Sequence, residues 1–190
     1  NVSVTATTGV AALLLKGGQT IHSWAGIGTG EHCVDRLYQD IIKSKAKLRW
    51  ENTDILIIDE ISLMSPELFD KLENLACLIR NNDKPFGGIQ IIVSGDWLQL
   101  PNICNSQYTF QSKNWNKCID KIIYLTNIMR QKNLYFQKIL NFIRIGDIND
   151  EVKTVLLSRV NKKLNNTDGI IPTRLFCTNT DIDRININEF

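Results

Sequence analysis

The sequence predicts an α/β fold with a parallel sheet, and three observations predict it. Ile55-Leu56-Ile57-Ile58 and Ile89-Gln90-Ile91-Ile92-Val93 are short runs of strand length, rich in apolar residues. A parallel strand covered on both faces reads this way. Between them, Ser65-Pro66 supplies an N-cap and a first-turn proline. The stretch that follows carries Leu68, Phe69, Leu72, Leu75, Ala76 and Ile79 at helical spacing. Val2-Ser3-Val4-Thr5-Ala6 adds a strand-like alternation near the N-terminus. Strand alternating with helix is the grammar of a parallel α/β sheet.

The elements follow in order. After the first strand, Thr7-Thr8-Gly9 breaks the pattern, and Val10 to Leu15 predicts a short buried helix stopped by Gly17-Gly18. Thr20 to Ala25 predicts a second short helix. Val34, Leu37, Tyr38, Ile41 and Ile42 repeat with the period of an amphipathic helix. The turn Lys84-Pro85-Phe86-Gly87-Gly88 separates the long helix from the third strand. Ile122-Ile123-Tyr124-Leu125 predicts a further strand. Beyond it come helices around Phe136 to Ile143 and Val152 to Val160, separated by Gly146-Asp147. A polar stretch from Asn161 to Gly169 leads to a predicted strand, Arg174 to Cys177, and a final helix holding Ile182 and Ile185. The domain boundary is expected near Leu125 to Gln131, dividing the chain into 1–127 and 128–190.

Composition narrows the function classes. Of 190 residues, 43% are hydrophobic and 22% charged, which excludes a disordered tail, a collagen-like fibre and a small disulfide scaffold. The net charge is +2, so affinity for nucleic acid has to come from a local groove, not from a bulk positive field. No apolar run approaches the roughly 20 residues that cross a bilayer, so no membrane partner is expected. Cys33, Cys77, Cys104, Cys118 and Cys177 are widely spaced, and none forms a C-x-x-C pair. An odd count suits a reducing, intracellular setting. The chain opens on Asn1 without an initiator Met and is expected to be a fragment.

Chemistry concentrates at predicted strand ends. Asp59-Glu60 closes the second buried strand, where open α/β sheets form their ligand crevice. A nucleoside triphosphate site needs one carboxylate to hold hydrated Mg²⁺ and another to take a proton from attacking water. The alternative is a strand ending in solvated acids. Gly95-Asp96-Trp97-Leu98-Gln99-Leu100-Pro101 follows the third strand, and Gln99 has the chemistry to sense a terminal phosphate or orient water. Alone, that segment reads equally as a surface turn. Arg130 alone would read as a surface cation, but at the expected boundary it has the position of a second-domain arginine reaching into a phosphate site, worth about 10³ to 10⁵ in rate. Thr7, Thr8 and Gly9, together with Thr20, His22, Ser23 and Trp24, cluster after the first strand. Hydroxyls and free backbone N–H groups suit phosphodiester contacts, and His22 could stack on a base; the alternative is helix capping by the threonines with His22 packed internally. Trp24 reads as a packed core residue. The basic run Lys43, Lys45, Lys47 and Arg49 reads as a solvated face.

These residues carry a family resemblance. VTATTGVAALLLKGGQTIHSWAGIG, ILIIDEISLM, KPFGGIQIIVSGDWLQLP and LTNIMRQKN occur in the order of superfamily-one DNA helicases of the Pif1 family, relatives of RecD. FQSKNWNKC, IRIGDINDEV and IIPTRLFCTNTDIDRIN are also similar to that family, so the resemblance spans essentially the whole chain. It implies two RecA-like domains, the first lacking its phosphate loop and the second represented by its start, with ATP between them and single-stranded DNA across their tops. It implies 5′ to 3′ translocation and unwinding of duplexes, forks and G-quadruplexes in repair, recombination, replication or telomere maintenance. On the matching positions, Asp59 would coordinate Mg²⁺, Glu60 would activate water, Gln99 would report the terminal phosphate, and Arg130 would be the trans-domain arginine. Thr7, Thr8, Gly9, His22 and Ser23 would line the DNA path.

Three departures from the family pattern stand out. No G-x-x-x-x-G-K occurs, so the phosphate loop would precede Asn1 and this chain alone is expected to bind ATP poorly. The late motifs would lie beyond Phe190; Leu157-Ser158-Arg159-Val160 only superficially resembles one. The family's second proline after Gly-Asp-x-x-Gln-Leu-Pro is Asn102 here. The competing reading is an ATPase-deficient relative serving as a DNA-binding or scaffold module. A relaxase-linked helicase of the RecD type shares the motifs, but Pro85-Phe86-Gly87-Gly88-Ile89-Gln90 favours the Pif1 branch. Expected settings are nucleus or mitochondrion in a eukaryote, otherwise cytoplasm or a virus.

Overall fold

The computed structural model describes residues 1–100, 107–162 and 173–189. Pro101, Asn102 and Cys104, and most of the Asn161 to Gly169 stretch, lie outside the described residues. Contacts divide the chain into one unit, Asn1–Gly146, and a second, Asp147–Phe190.

In the first unit, four strands form one parallel sheet in the order β2-β1-β3-β4. They are β1 (Val2–Ala6), β2 (Gln19–Thr20), β3 (Ile55–Asp59) and β4 (Gln90–Val93). Ala6 pairs with Asp59 and Ile58 with Val93, so β1, β3 and β4 end together at one edge. That alignment puts Thr7, Glu60 and Ser94 side by side where the strands stop. Leu56 and Ile58 are fully buried, while Ile55, Ile57 and Asp59 on the opposite face are half-buried. Ile92 in β4 is 45% exposed, so the expected coverage of both faces is incomplete among the described residues.

The helices are α1 (Gly9–Leu14), α2 (Ile21–Ala25), α3 (Val34–Ile42), α4 (Ala46–Asn52) and α5 (Pro66–Arg80). Thr8 caps α1 by accepting from Ala11 N–H at 3.2 Å, Thr20 caps α2 from Ser23 N–H at 3.2 Å, and Ser65 caps α5 from Leu68 N–H at 3.1 Å. Each satisfies an otherwise orphaned N-terminal donor. Helix α4 was not foreseen. Its Trp50 is fully buried against Trp24, ring centroids 4.5 Å apart, and donates from Nε1 to Ala25 O at 3.0 Å. Trp24 is therefore core, as its sequence context suggested. Arg49, assigned to a solvated face, instead ties α4 to α2: Nε donates to Trp24 O at 2.6 Å and Nη2 to Ser23 O at 2.9 Å. Gly26 ends α2 at φ 72°, and a Cβ there would meet Ala46 Cβ at 2.5 Å, so only glycine allows this approach.

The chain continues through α6 (Trp115–Cys118) and α7 (Leu134–Arg144). Asp70 on α5 pins the segment before α6, accepting from Ser112 Oγ at 2.7 Å and Asn114 N–H at 3.1 Å. The strand expected at Ile122 to Leu125 does not form. Those residues are largely exposed, and a cavity of about 540 Å³ lined by Ile91, Val93, Ile119 and Ile123 lies beside the β4 edge. Without a neighbour at ladder distance an extended segment is not a strand. In the second unit, α8 (Asp150–Leu157) and α9 (Asn179–Glu189) form as expected. Arg174 to Cys177 is not a strand; Leu175 is 92% exposed, with no strand beside it among the described residues. No helix among the described residues is long and apolar enough to cross a membrane.

Candidate nucleotide and DNA site

The edge where β1, β3 and β4 end is organised around Asp59 and Glu60. Asp59 Oδ1 accepts from Ser94 Oγ at 2.5 Å and from Glu60 N–H at 3.0 Å. Thr7 N–H donates to Asp59 O at 3.1 Å, and Thr7 Oγ1 donates to Glu60 O at 2.8 Å. Glu60 adopts the left-handed conformation, φ 55° and ψ 41°, at the start of a 3₁₀ turn, Ile61–Leu63. An L-residue is strained there by about 1–2 kcal/mol, and such strain collects at functional sites. The turn is held from below by Thr109 Oγ1, 2.8 Å from Ile61 O. Gly95 permits the fit: a Cβ on it would sit 3.0 Å from Ile61 Cγ2 and 3.1 Å from Ser62 N.

A cavity of about 720 Å³ opens beside this edge, and Thr8, Glu60, Gln99, Arg130 and Arg144 are among the residues that line it. The sheet edge carries Glu60, the loop after β4 carries Gln99, and the chain between α6 and α7 carries the exposed Arg130. Ser62 is also among the residues lining this cavity, and its buried hydroxyl has no hydrogen-bond partner among the described residues. A buried orphan of this kind costs about 1–3 kcal/mol, which a ligand or water in the cavity would offset. Sequence reasoning passed over Ser62; its only signal was adjacency to Asp59-Glu60.

Asp96 shapes the loop bearing Gln99. Its main-chain carbonyl accepts from Gln99 N–H at 3.2 Å, its Oδ1 from Leu98 N–H at 3.1 Å, and its Oδ2 from Gln99 Nε2 at 3.4 Å. Arg144 grips both carboxylate oxygens, Nε to Oδ2 at 2.9 Å and Nη2 to Oδ1 at 2.8 Å. That guanidinium, with the loop N–H groups, holds the Asp96 carboxyl well below the usual range, at about 2. Neither residue was singled out from sequence.

The residues expected on a DNA path are divided. Thr8 lines the cavity with Glu60, whereas Thr7 and His22 line a separate cavity of about 420 Å³ with Leu63, Ser65, Leu68 and Lys71. Gly9 and Ser23 are exposed and line neither. Burial lowers the His22 pKa below its ordinary value, so its ring is neutral at pH 7.

The donor set tests which cation the edge would accept. Carboxylate and hydroxyl oxygens from Asp59 and Ser94 suit a hard cation such as Mg²⁺, which keeps most of its shell as water and phosphate. Among the described residues no group of three or more His, Cys, Asp or Glu forms a closed metal cage.

Comparison with known proteins gives the family. The family model described as PIF1-like helicase matches residues 1–155. The ATP-dependent DNA helicase RRM3 of Saccharomyces cerevisiae is 40% identical over 100% of this chain, which spans 27% of that protein. The crystal structure of Pif1 helicase from Candida albicans superposes with a TM-score of 0.92 at 39% identity, covering 99% of this chain and 43% of that one. Pif1 helicase from Bacteroides, solved in complex with ADP-AlF3 and ssDNA, gives a TM-score of 0.80 at 28% identity, covering 100% and 47%. The parallel sheet with flanking helices is thus RecA-like, as in those helicase cores, and the chain belongs to the PIF1-like helicase family.

Proposed function

We propose that this chain is part of an ATP-dependent DNA helicase that couples ATP hydrolysis to 5′ to 3′ movement on single-stranded DNA. Residues 1–127 are the first RecA-like domain and 128–190 the beginning of a second. The observation that carries this reading is the convergence of Glu60, Gln99 and Arg130 on one cavity at the carboxyl edge of the sheet. Glu60 takes a proton from water attacking the terminal phosphate, and Gln99 orients that water or reports the phosphate. Arg130 meets the developing negative charge. Asp59, oriented by Ser94, would hold Mg²⁺, which would neutralise phosphate charge. No G-x-x-x-x-G-K phosphate loop occurs within Asn1–Phe190, so these residues supply the carboxylate, amide and guanidinium side of the site.

Thr7, Thr8, Gly9, His22 and Ser23 contact the DNA backbone and bases in this proposal. The substrates are single-stranded and forked DNA; a Bacteroides relative solved with ssDNA supports the first, and a Pif1 helicase structure described for unwinding at forked dsDNA supports the second. Unwinding of G-quadruplexes, roles in repair, recombination or telomere maintenance, and an intracellular setting belong to the same proposal.

The test is Glu60→Gln in the full-length gene product. DNA-stimulated ATP hydrolysis should fall by about 10² to 10⁴, the worth of a general base, with nucleotide binding retained. Undiminished turnover refutes the assignment. Wild-type protein that binds no nucleotide would point instead to the scaffold reading.

A further inference from the structure

The fork between Arg144 and Asp96 joins two parts of the proposed site that lie far apart in sequence. Asp96 organises the loop bearing Gln99 through its carbonyl and both carboxylate oxygens. Arg144, at the last turn of α7, holds that carboxylate at 2.9 and 2.8 Å. About two turns earlier on the same face, Gln137 Nε2 donates to Ile128 O at 3.4 Å and to Gln131 O, the carbonyls that bracket Arg130. Helix α7 therefore grips the Arg130 segment at Gln137 and the Gln99 loop at Arg144, about 10 Å apart along a rigid rod.

We propose that Arg144 is a positioning residue: through its two-pronged grip on Asp96 it sets the distance between Gln99 and Arg130 across the cavity. This rests on the helicase reading above. The planar guanidinium suits the task because two parallel hydrogen bonds fix direction as well as distance, which an ammonium does not. Asp96 in turn holds the Gln99 amide only at 3.4 Å, a long contact that a phosphate oxygen or water can displace without breaking the fork. The fork stays closed while the amide swings.

The experiment uses the full-length gene product with Arg144→Gln, Arg144→Lys, Asp96→Asn and the Arg144→Gln/Asp96→Asn pair, with Glu60→Gln as reference. Steady-state ATP hydrolysis is measured with and without an oligothymidylate strand, beside thermal melting of each variant. A displacement of the sensor loop of about an ångström predicts a loss of about tenfold to a hundredfold in DNA-stimulated kcat for either single variant. KM for ATP should move much less than kcat. The paired variant should be no worse than either single one, because both remove the same link. Arg144→Lys, which keeps the charge and loses the fork, should lose more than about threefold in kcat but less than Arg144→Gln; it also serves if Arg144→Gln does not fold. A kcat for Arg144→Gln or Arg144→Lys within about threefold of wild type, while Glu60→Gln is inactive, overturns the proposal. So do additive losses in the pair, or a lowered melting temperature with unchanged kcat, which mark a purely structural contact. Full turnover in Glu60→Gln removes the underlying reading instead, and with it this one.

Discussion

Replacing Glu60 by glycine should leave the protein more stable than replacing it by alanine, although both remove the same carboxylate. Glu60 sits at φ 55° and ψ 41°. In that region an L-residue costs about 1–2 kcal/mol that glycine does not. Glycine's greater freedom in the unfolded chain returns about 0.4–1 kcal/mol of this. The net expectation is about 1 kcal/mol in favour of Glu60→Gly. Little else separates the two variants. The side chain is half-buried at the cavity rim, and Glu60 reaches Asp59 and Thr7 through its own backbone N–H and C=O. For a unit the size of Asn1–Gly146 the difference corresponds to about 2–4 °C in Tm. Thermal and urea melts of Glu60→Gly, Glu60→Ala and Glu60→Gln decide it. All three should lose hydrolysis, and Glu60→Gln should melt near wild type because it keeps both strain and shape. If Glu60→Ala proves as stable as Glu60→Gly, the left-handed conformation is not a source of strain and the reasoning fails.

Other outcomes follow from the same geometry. Trp50→Ala should cost about 3–5 kcal/mol, since it empties the space against Trp24 and orphans Ala25 O; urea titration reads it directly. His22 has its pKa lowered by burial, so its stabilising contribution is complete above pH 6.5 and is lost as pH falls toward its lower folded value. Because the ring is neutral at pH 7, His22→Ala should weaken binding to an oligothymidylate strand without changing the slope of log affinity against log salt. A changed slope, measured by fluorescence anisotropy, would show that the ring is charged.

Much of this protein is legible from sequence because the information is local. Apolar runs such as Ile55 to Ile58 announce strands, and Ser65-Pro66 announces the start of α5, since capping and periodicity act within one or two turns of chain. The acids at the end of β3 were found the same way: a strand's end is visible in its own residues. Tertiary structure decided what depends on neighbours distant in sequence. Ile122 to Leu125 has the composition of a strand, yet a strand is a relation to another strand, and none lies beside it among the described residues. Arg49 reads as a solvent cation until the carbonyls of Ser23 and Trp24 meet its guanidinium. Asp96 and Arg144 stand 48 positions apart with nothing local to link them. A charge declares its sign in the sequence, whereas its partner is chosen only when the folded backbone sets the two within hydrogen-bond reach.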